Sequence, residues 1–364
     1  MKILHVFYAG LGGHSNVFFS MLKADESGEF QYEVLLNGIE QPRSENTERC
    51  EKLGIKWQYV HKTPGKHLAF IWQMAKLIRH SKPGIVFLHA SINVPAALLA
   101  KLLSFSRFKI IVRETQANHL KTKTEWFSLK LALLFADKIV FLTEAYNSTI
   151  KETLPRWYKQ SKVTVIPNGL DLDLFKPAQE KIFGNPVVLG MQSRIVAIKD
   201  HVTLLNAVAL IKTTHPQLQL KLKIAGEGNM EPELKTLAHT LDIESVVEFT
   251  GLLPESALPW FLQTCDIYIH ASLGETMSTA IMQAMACRLP IIASDVDGIN
   301  NMLVNGVTAL LVKPKEPLQL ADAIMECINK NDLCSQLADN AYAVALQKFS
   351  NKKMFESYKA IFTK

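Results

Sequence analysis

Glu275 and Gln283 stand eight residues apart in a run that begins Ile267-Tyr268-Ile269-His270 and closes on Arg288-Leu289-Pro290. The opening four residues have the character of a strand, Gly274-Glu275 that of a polar turn, and the Ala- and Met-rich residues beyond it that of a helix. A helix starting across Thr276, Met277 and Ser278 points free N–H groups at whatever lies before it, and phosphate oxygens suit such a site. Glu275, just ahead of that start, can accept hydrogen bonds from sugar hydroxyls, and Gln283, about two turns along, can reach a ribose hydroxyl. The same residues also have a plainer use, with Ser and Thr capping the helix and Met277, Met282 and Met285 filling a core.

Two cations stand five residues apart in Met191-Gln192-Ser193-Arg194-Ile195-Val196-Ala197-Ile198-Lys199, immediately beyond another apolar run. The edge where strands of a parallel sheet end is where such sheets bind ligands. Arg194 and Lys199 could hold a diphosphate there and steady the charge that grows as its bond to a sugar breaks; alone, such a pair is equally a solvated surface. Gly226 and Gly228, in Ala225-Gly226-Glu227-Gly228, offer backbone for close approach to the same ligand, since an inward Glu227 would repel phosphate. Near the start, Gly10-Leu11-Gly12-Gly13-His14-Ser15-Asn16 opens a helix after the first strand, with Gly12 and Gly13 suited to closing over a diphosphate or facing an acceptor. Ser15 breaks the spacing of a dinucleotide fingerprint, and no ribose carboxylate follows, because the next strand ends in Leu36-Asn37-Gly38. His14 and Asn16 border that loop, and Glu114 in Val112-Arg113-Glu114-Thr115 could orient an acceptor hydroxyl, act as a base or pair with a neighbouring cation.

Positioning these groups requires strands that end side by side. Short apolar runs at 3–8, 32–36, 57–60, 85–88, 109–113, 138–142 and 163–166 alternate with amphipathic stretches, and the pattern restarts at 186–191, 220–225, 246–250, 267–270, 289–293 and 309–312. Pro167-Asn168-Gly169 with Pro177 reads as a turn and hinge between the two series. The organisation expected is therefore 1–168 and 169–345 as two α/β domains, with 346–364 a docked helix bearing Phe355, Tyr358, Ile361 and Phe362. In the helix predicted over 68–80, Leu68, Ile71, Trp72, Ala75 and Ile78 recur at three and four and are expected to pack on the sheet.

A chain of 364 residues holds two cores. Residues 1–170 carry 23 Lys or Arg against 13 Asp or Glu, and 171–364 carry 17 against 21, so one half is +10 and the other −4. A basic first half suits an anionic partner, and the face with Lys66, Lys76, Arg79 and Lys82 could rest on an anionic membrane surface or be solvated. Lys101, Lys130, Asp137 and Lys138 interrupt the most apolar stretches, which fall short of the ~20 clean residues that span a bilayer. The first eight residues are too short for a signal-peptide core. Five cysteines without CxxC spacing imply neither a disulfide framework nor structural zinc and fit a reducing cytoplasm.

The run 267–290 resembles the signature of the retaining GT-B glycosyltransferases of family 4, which include bacterial enzymes of envelope polysaccharide synthesis. The resemblance extends through the Gly-rich loop, Ile166-Pro167-Asn168-Gly169-Leu170-Asp171, Arg194 with Lys199, and Ala225-Gly226-Glu227-Gly228. It implies an α/β GT-B fold, two Rossmann-like domains facing each other across a deep cleft, with the last helix packed back on the first. It also implies a catalytic set of Arg194, Lys199, Glu275 and His89, the last matching a histidine placed near the transferred sugar. Gly12, Gly13, Gly226, Gly228, Thr276, Met277, Ser278 and Gln283 then bind the donor, and His14, Asn16 and Glu114 the acceptor. The donor implied is a nucleotide diphosphate sugar, a UDP-sugar ahead of a GDP-sugar, and the acceptor a glycan or lipid-linked glycan; no tightly bound cofactor and no nucleic acid are expected. Metal is expected to be dispensable, since Asp171-Leu172-Asp173 lies in the hinge and not at a strand edge. Gln283 departs from the family's ribose-binding glutamate, keeping an acceptor and adding donors without charge. A GT-B epimerase or phosphorylase, and a non-catalytic nucleotide-sugar-binding protein, are the alternatives. Cytoplasmic action, peripheral to the membrane's inner face, completes the expectation.

Overall fold

A computed structural model of the chain describes residues 1–10, 13–104, 107–178 and 183–363, in two compact units: Met1–Gly169 with Asn351–Lys364, and Leu170–Ser350. The first unit is built on β1 (Lys2–Tyr8), β2 (Gln31–Gly38), β3 (Lys56–His61), β4 (Ile85–Leu88), β5 (Lys109–Arg113), β6 (Lys138–Phe141) and β7 (Val163–Val165). These form one sheet in the order β3-β2-β1-β4-β5-β6-β7, parallel at every pairing. Strands so placed are covered on both faces, which is why β4 is buried at all four residues. Side chains alternate: Leu4 and Val6 of β1 face one core, Ile3 and Phe7 the other.

On the Leu4 face lie α3 (His67–Ser81), α4 (Val94–Ser104), α5 (Lys123–Phe135) and α6 (Glu144–Thr153); on the Ile3 face lie α1 (Gly13–Ala24) and α2 (Ser44–Lys52). The final helix, α13 (Asn351–Phe362), joins the Ile3 core through Met354, Phe355, Tyr358, Ile361 and Phe362. Asn351 Nδ2 donates to the Ser20 carbonyl at 3.3 Å, and Lys359 pairs with Glu29 at 2.6 Å. Each large side chain buried this way contributes about 2 kcal/mol, enough to hold a terminal helix in place.

The second unit repeats the plan with β8 (Val187–Gln192), β9 (Leu220–Ala225), β10 (Val247–Gly251), β11 (Ile267–His270), β12 (Ile291–Ser294) and β13 (Leu310–Val312). The sheet is again parallel, in the order β10-β9-β8-β11-β12-β13. Its helices are α7 (His201–Thr214), α8 (Glu231–Thr240), α9 (Leu258–Gln263), α10 (Thr279–Ala286), α11 (Pro317–Asn329) and α12 (Asn331–Lys348). Both sheets are the doubly wound, Rossmann-like kind expected of a GT-B chain. In each, strand order reverses at one point, β1/β4 and β8/β11, where neighbouring loops leave in opposite directions and open a crevice.

Two expectations are corrected. Leu68 and Trp72 of α3 do not pack on the sheet; Met74, Ala75 and Ile78 do, because Met74 sits on the inward stripe and Trp72 half a turn outside it. Cys327 of α11 and Cys334 of α12 form a disulfide, their Cα atoms 5.4 Å apart across the turn between the two helices. Among the described residues no helix is long and apolar enough to cross a membrane.

Candidate functional site

Gln192 ends β8 and His270 ends β11, so the two strands flanking the reversal in the second unit deliver the chain segments that hold the candidates. The loop after β11 is tied to the turn after β8: Leu273 N–H donates to the Ile198 carbonyl at 2.8 Å and Ser272 Oγ at 3.2 Å. That tie brings Lys199 and Glu275 together, and Lys199 Nζ is bonded to Glu275 Oε1. His270 Nε2 lies 2.9 Å from the same oxygen. An ionised carboxylate needs donors, so Nε2 carries the proton, and Nδ1 is left as an acceptor facing the Tyr268 hydroxyl at 3.3 Å. The single hydrogen of the Tyr268 hydroxyl is shared between that nitrogen and the Gln192 carbonyl, 3.2 Å away, and Gln192 Nε2 donates to Gln283 Oε1 at 2.7 Å. Through Gln192, which meets Tyr268 with its carbonyl and Gln283 with its side-chain amide, Gln283 is thus tied to Glu275 and Lys199.

Burial by itself would push the Glu275 carboxyl up; the Lys199 charge and the His270 hydrogen bond outweigh it and hold the group down to about 2. Glu275 is thus ionised at neutral pH, with Oε1 occupied and Oε2 free of hydrogen bonds among the described residues. Burial keeps the His270 imidazole below its ordinary value, consistent with a neutral ring that donates from Nε2. His201, beside the same cation, is held down to about 4 by burial, Lys199 and His270, and its Nε2 lies 3.1 Å from Ser193 Oγ. Arg194 is exposed, and among the described residues its guanidinium makes no hydrogen bond or ion pair. A fixed cation left uncommitted five residues before a satisfied one suits the capture of an anion.

Other placements differ from expectation. The helix after Glu275 starts at Thr279, with Ser278 as its N-cap accepting from Ile281 N–H at 3.3 Å; Thr276 and Met277 lie in the preceding turn, so the free amides are those of Thr279 and Ala280. Gln283 is buried and committed to Gln192. Gly226 and Gly228 are needed for packing, since a Cβ would stand 1.9 Å from the Ser193 carbonyl oxygen at the first and 2.1 Å from that of Ile195 at the second. The Gly226 amide, moreover, donates to Gly251 at 2.9 Å and is not available to a diphosphate. The two glycines let the loops after β8 and β9 close on each other, with Ile195 N–H on Glu227 and Met230 N–H on Ile195, and so shape the backbone that carries Arg194.

In the first unit, Gly13 opens α1, exposed, with His14 and Asn16 part-buried on its first turn; Gly12 lies outside the described residues. His89 is wholly buried among Phe7, Phe87 and His5, its Nε2 3.0 Å from His5 Nδ1. Its carbonyl accepts from Thr115 Oγ1 at 3.1 Å. Glu114 lies inside the fold, pairing with the buried Lys121 at 3.3 Å and accepting from the amides of Gln116 and Ser91, as in the salt-bridge alternative. Sequence reasoning missed Arg113, whose buried guanidinium bonds Asn168 of the hinge motif, and Tyr268, His270 and Gln192, which had looked like strand residues only.

His5 yields a test of this interior. Burial pushes its imidazole down to about 3, so the native state refuses a proton that the unfolded chain accepts below about 6.5. The linkage sign follows: stability is whole above 6.5 and lost progressively as pH falls toward 3, about 2 kcal/mol by pH 5. Urea unfolding followed by tryptophan fluorescence, with four of the five tryptophans in the first unit, should show that loss in the parent and a clearly smaller one in His5→Asn. Equal losses in both would assign the pH dependence elsewhere.

Residues 11–174 match the family model for Glycosyltransferase Family 4, and residues 174–344 that for Glycosyl transferases group 1. Over 196 residues the chain is 30% identical to the D-inositol 3-phosphate glycosyltransferase of Corynebacterium jeikeium, a match covering 50% of this chain and 46% of that protein; the match thus spans about half of the curated relative's length. An uncharacterized glycosyltransferase of Methanocaldococcus jannaschii is 26% identical over 278 residues, covering 71% of this chain and 69% of that one. Among solved structures, Anabaena HepE in complex with UDP and glucose has the same fold, with a TM-score of 0.83 at 20% identity over 100% of this chain and 99% of that one. Two doubly wound units, each matched along its length by one half of the same enzyme architecture, leave one assignment: the chain belongs to the family 4 glycosyltransferases.

Proposed function

We propose that the chain transfers a hexose or N-acetylhexosamine from a nucleotide diphosphate sugar to a hydroxyl of a glycan or lipid-linked acceptor, with retention at the anomeric carbon. The work served is assembly of lipopolysaccharide, capsule or another envelope polysaccharide at the inner face of the cytoplasmic membrane. A UDP-sugar is the favoured donor, ahead of a GDP-sugar; the UDP and glucose bound to the Anabaena structure support that order. The observation that carries the reading is the pairing of Lys199 and His270 on one oxygen of Glu275, with the uncommitted Arg194 five residues before Lys199 in the segment that leaves β8.

Glu275 Oε2 accepts from hydroxyls of the donor sugar, and Arg194 and Lys199 bear on the diphosphate, helped by the amides of Thr279 and Ala280. In the step itself the bond from the anomeric carbon to the diphosphate oxygen breaks, and the acceptor oxygen forms its bond on the same face. The acceptor proton passes to the departing diphosphate oxygen, so no protein nucleophile is required. Cations fixed in place before the reaction stabilise the growing negative charge without reorganising. Gln283 acts toward the ribose through Gln192, with which it shares its amide oxygen.

A thermal-shift series with UDP, GDP, ADP and their sugars tests donor recognition. Ligand at 100 times its dissociation constant adds about 2.7 kcal/mol of stability, so UDP and a UDP-sugar should raise the transition by several degrees and ADP by much less. No stabilisation by any of the series would end the reading. Stabilisation with neither transfer nor donor hydrolysis, over a panel of glycan and lipid-linked acceptors, would favour the binding protein, and interconversion of free nucleotide sugar the epimerase.

A further inference from the structure

From Lys52 to Arg113 the chain contains no aspartate or glutamate and eleven lysines and arginines. This stretch builds β3, α3, β4, α4 and β5, so a bias in sequence becomes a bias of place. α3 turns Met74, Ala75 and Ile78 inward, and its outward side reads Leu68, Trp72, Lys76 and Arg79, positions spaced by three and four residues and hence aligned along the helix. Leu68 is 83% exposed and Trp72 55%. At the other end Lys76, Arg79 and Lys82 line one groove of about 550 Å³ with Gln58 of the edge strand β3 and His80. No carboxylate lines that groove; Glu33, paired with Lys2 at 3.0 Å, and Glu51 at the end of α2 line the adjoining one, and Asp137, beyond α5, is paired with Lys101 at 3.3 Å. Leu102 of α4 and Phe127 and Phe135 of α5 are exposed on the same helical layer.

We propose that the outward face of α3 docks on an anionic lipid bilayer, Leu68 and Trp72 entering the boundary between headgroups and acyl chains while Lys76, Arg79 and Lys82 lie over lipid phosphates. Cations alone would serve a dissolved polyanion equally well. A leucine and a tryptophan continue the same line as the cations; tryptophan is at home at the membrane interface, and apolar burial adds to charge attraction there. The opposite sign of the two halves agrees: the +10 half is the one that carries the face. Docking of this kind deepens the lipid-linked acceptor reading and rests on it for its purpose, since it brings the first unit to the surface where such acceptors are held.

Full-length protein co-sedimented with vesicles of phosphatidylcholine alone, or mixed with phosphatidylglycerol, tests the docking. Binding should require phosphatidylglycerol and weaken steeply as salt shortens the screening length. Lys76→Gln with Arg79→Gln should lower partitioning about 30-fold, at roughly fivefold per basic residue, and Leu68→Gln with Trp72→Gln at least about tenfold. Both pairs are exposed, so the unfolding temperature and its shift on adding UDP should be those of the parent. Unchanged partitioning of either pair, equal binding to neutral vesicles, or capture of soluble short-chain phosphatidylglycerol with no vesicle binding would each overturn the docking. Absent vesicle binding with the UDP shift intact defeats the docking alone, and an absent UDP shift with vesicle binding intact defeats the transferase reading alone.

Discussion

Arg194→Ala should lower transfer by about 10²- to 10³-fold, the loss typical of one charge-stabilising group, with the unfolding midpoint unchanged. Lys199→Ala should lower transfer at least as far and destabilise the second unit as well. The difference comes from what each cation touches in the resting protein. Arg194 is exposed and bonded to nothing among the described residues, so its removal is felt only when an anion is present. Lys199 is part-buried on Glu275, and without it only His270 opposes burial at that carboxyl, which rises from about 2 toward its ordinary value. Stripping one partner from a buried pair costs about 3 kcal/mol. The double variant Lys199→Ala with Glu275→Gln should recover much of that stability, because no charge is left stranded, and recover none of the transfer. Urea midpoints and initial rates at neutral pH for the two single variants and the double separate these outcomes. Near-parental transfer by both single variants would remove the diphosphate role from this pair.

The strands were legible because a parallel sheet covered on both faces needs continuous apolar runs, and 85–88 and 267–270 announce themselves in that way. The helical faces were less so. In α3, Trp72 and Met74 both count as apolar in a periodicity, and only the packed sheet shows that Met74 is inside and Trp72 outside. Arg194, Lys199 and Glu275 could be picked out by type and spacing, but their alliance could not: it depends on the Ile198 carbonyl receiving Leu273 and Ser272 across a gap of about 75 residues. His270 and Tyr268 were hidden for a related reason, as strand residues two apart on one face, at the second and fourth positions of β11. Glycine carries the same ambiguity at 226 and 228, where residue type fits a ligand or a neighbouring loop, and the neighbouring loop is what occupies the space.

A glycine of the second kind supports the site from a distance, and Gly298→Ala should disable transfer by about 10²-fold without removing any group that meets the donor. Gly298 follows β12 with φ at +86°, and a Cβ there would stand 2.2 Å from the Glu275 carbonyl oxygen. The neighbouring Asp297 carbonyl receives the Glu275 N–H at 3.2 Å, so this loop is the wall against which the Glu275 turn is seated. An added methyl meets backbone on one side and a disfavoured φ on the other, and the cheapest escape is to displace the turn. A shift near 1 Å takes Glu275 away from Lys199 and His270, and misplacement of that size costs about two orders of magnitude in rate. The left-handed backbone strain itself costs about 2 kcal/mol of stability. Initial rates, urea midpoints and the UDP-induced thermal shift, taken together on Gly298→Ala and on Gly306→Ala as a control with φ +70° and open space at its Cβ, make the comparison. Transfer reduced in both to the same degree would assign the effect to left-handed backbone strain in general; reduction confined to Gly298→Ala, with UDP binding retained, ties it to the seat of Glu275.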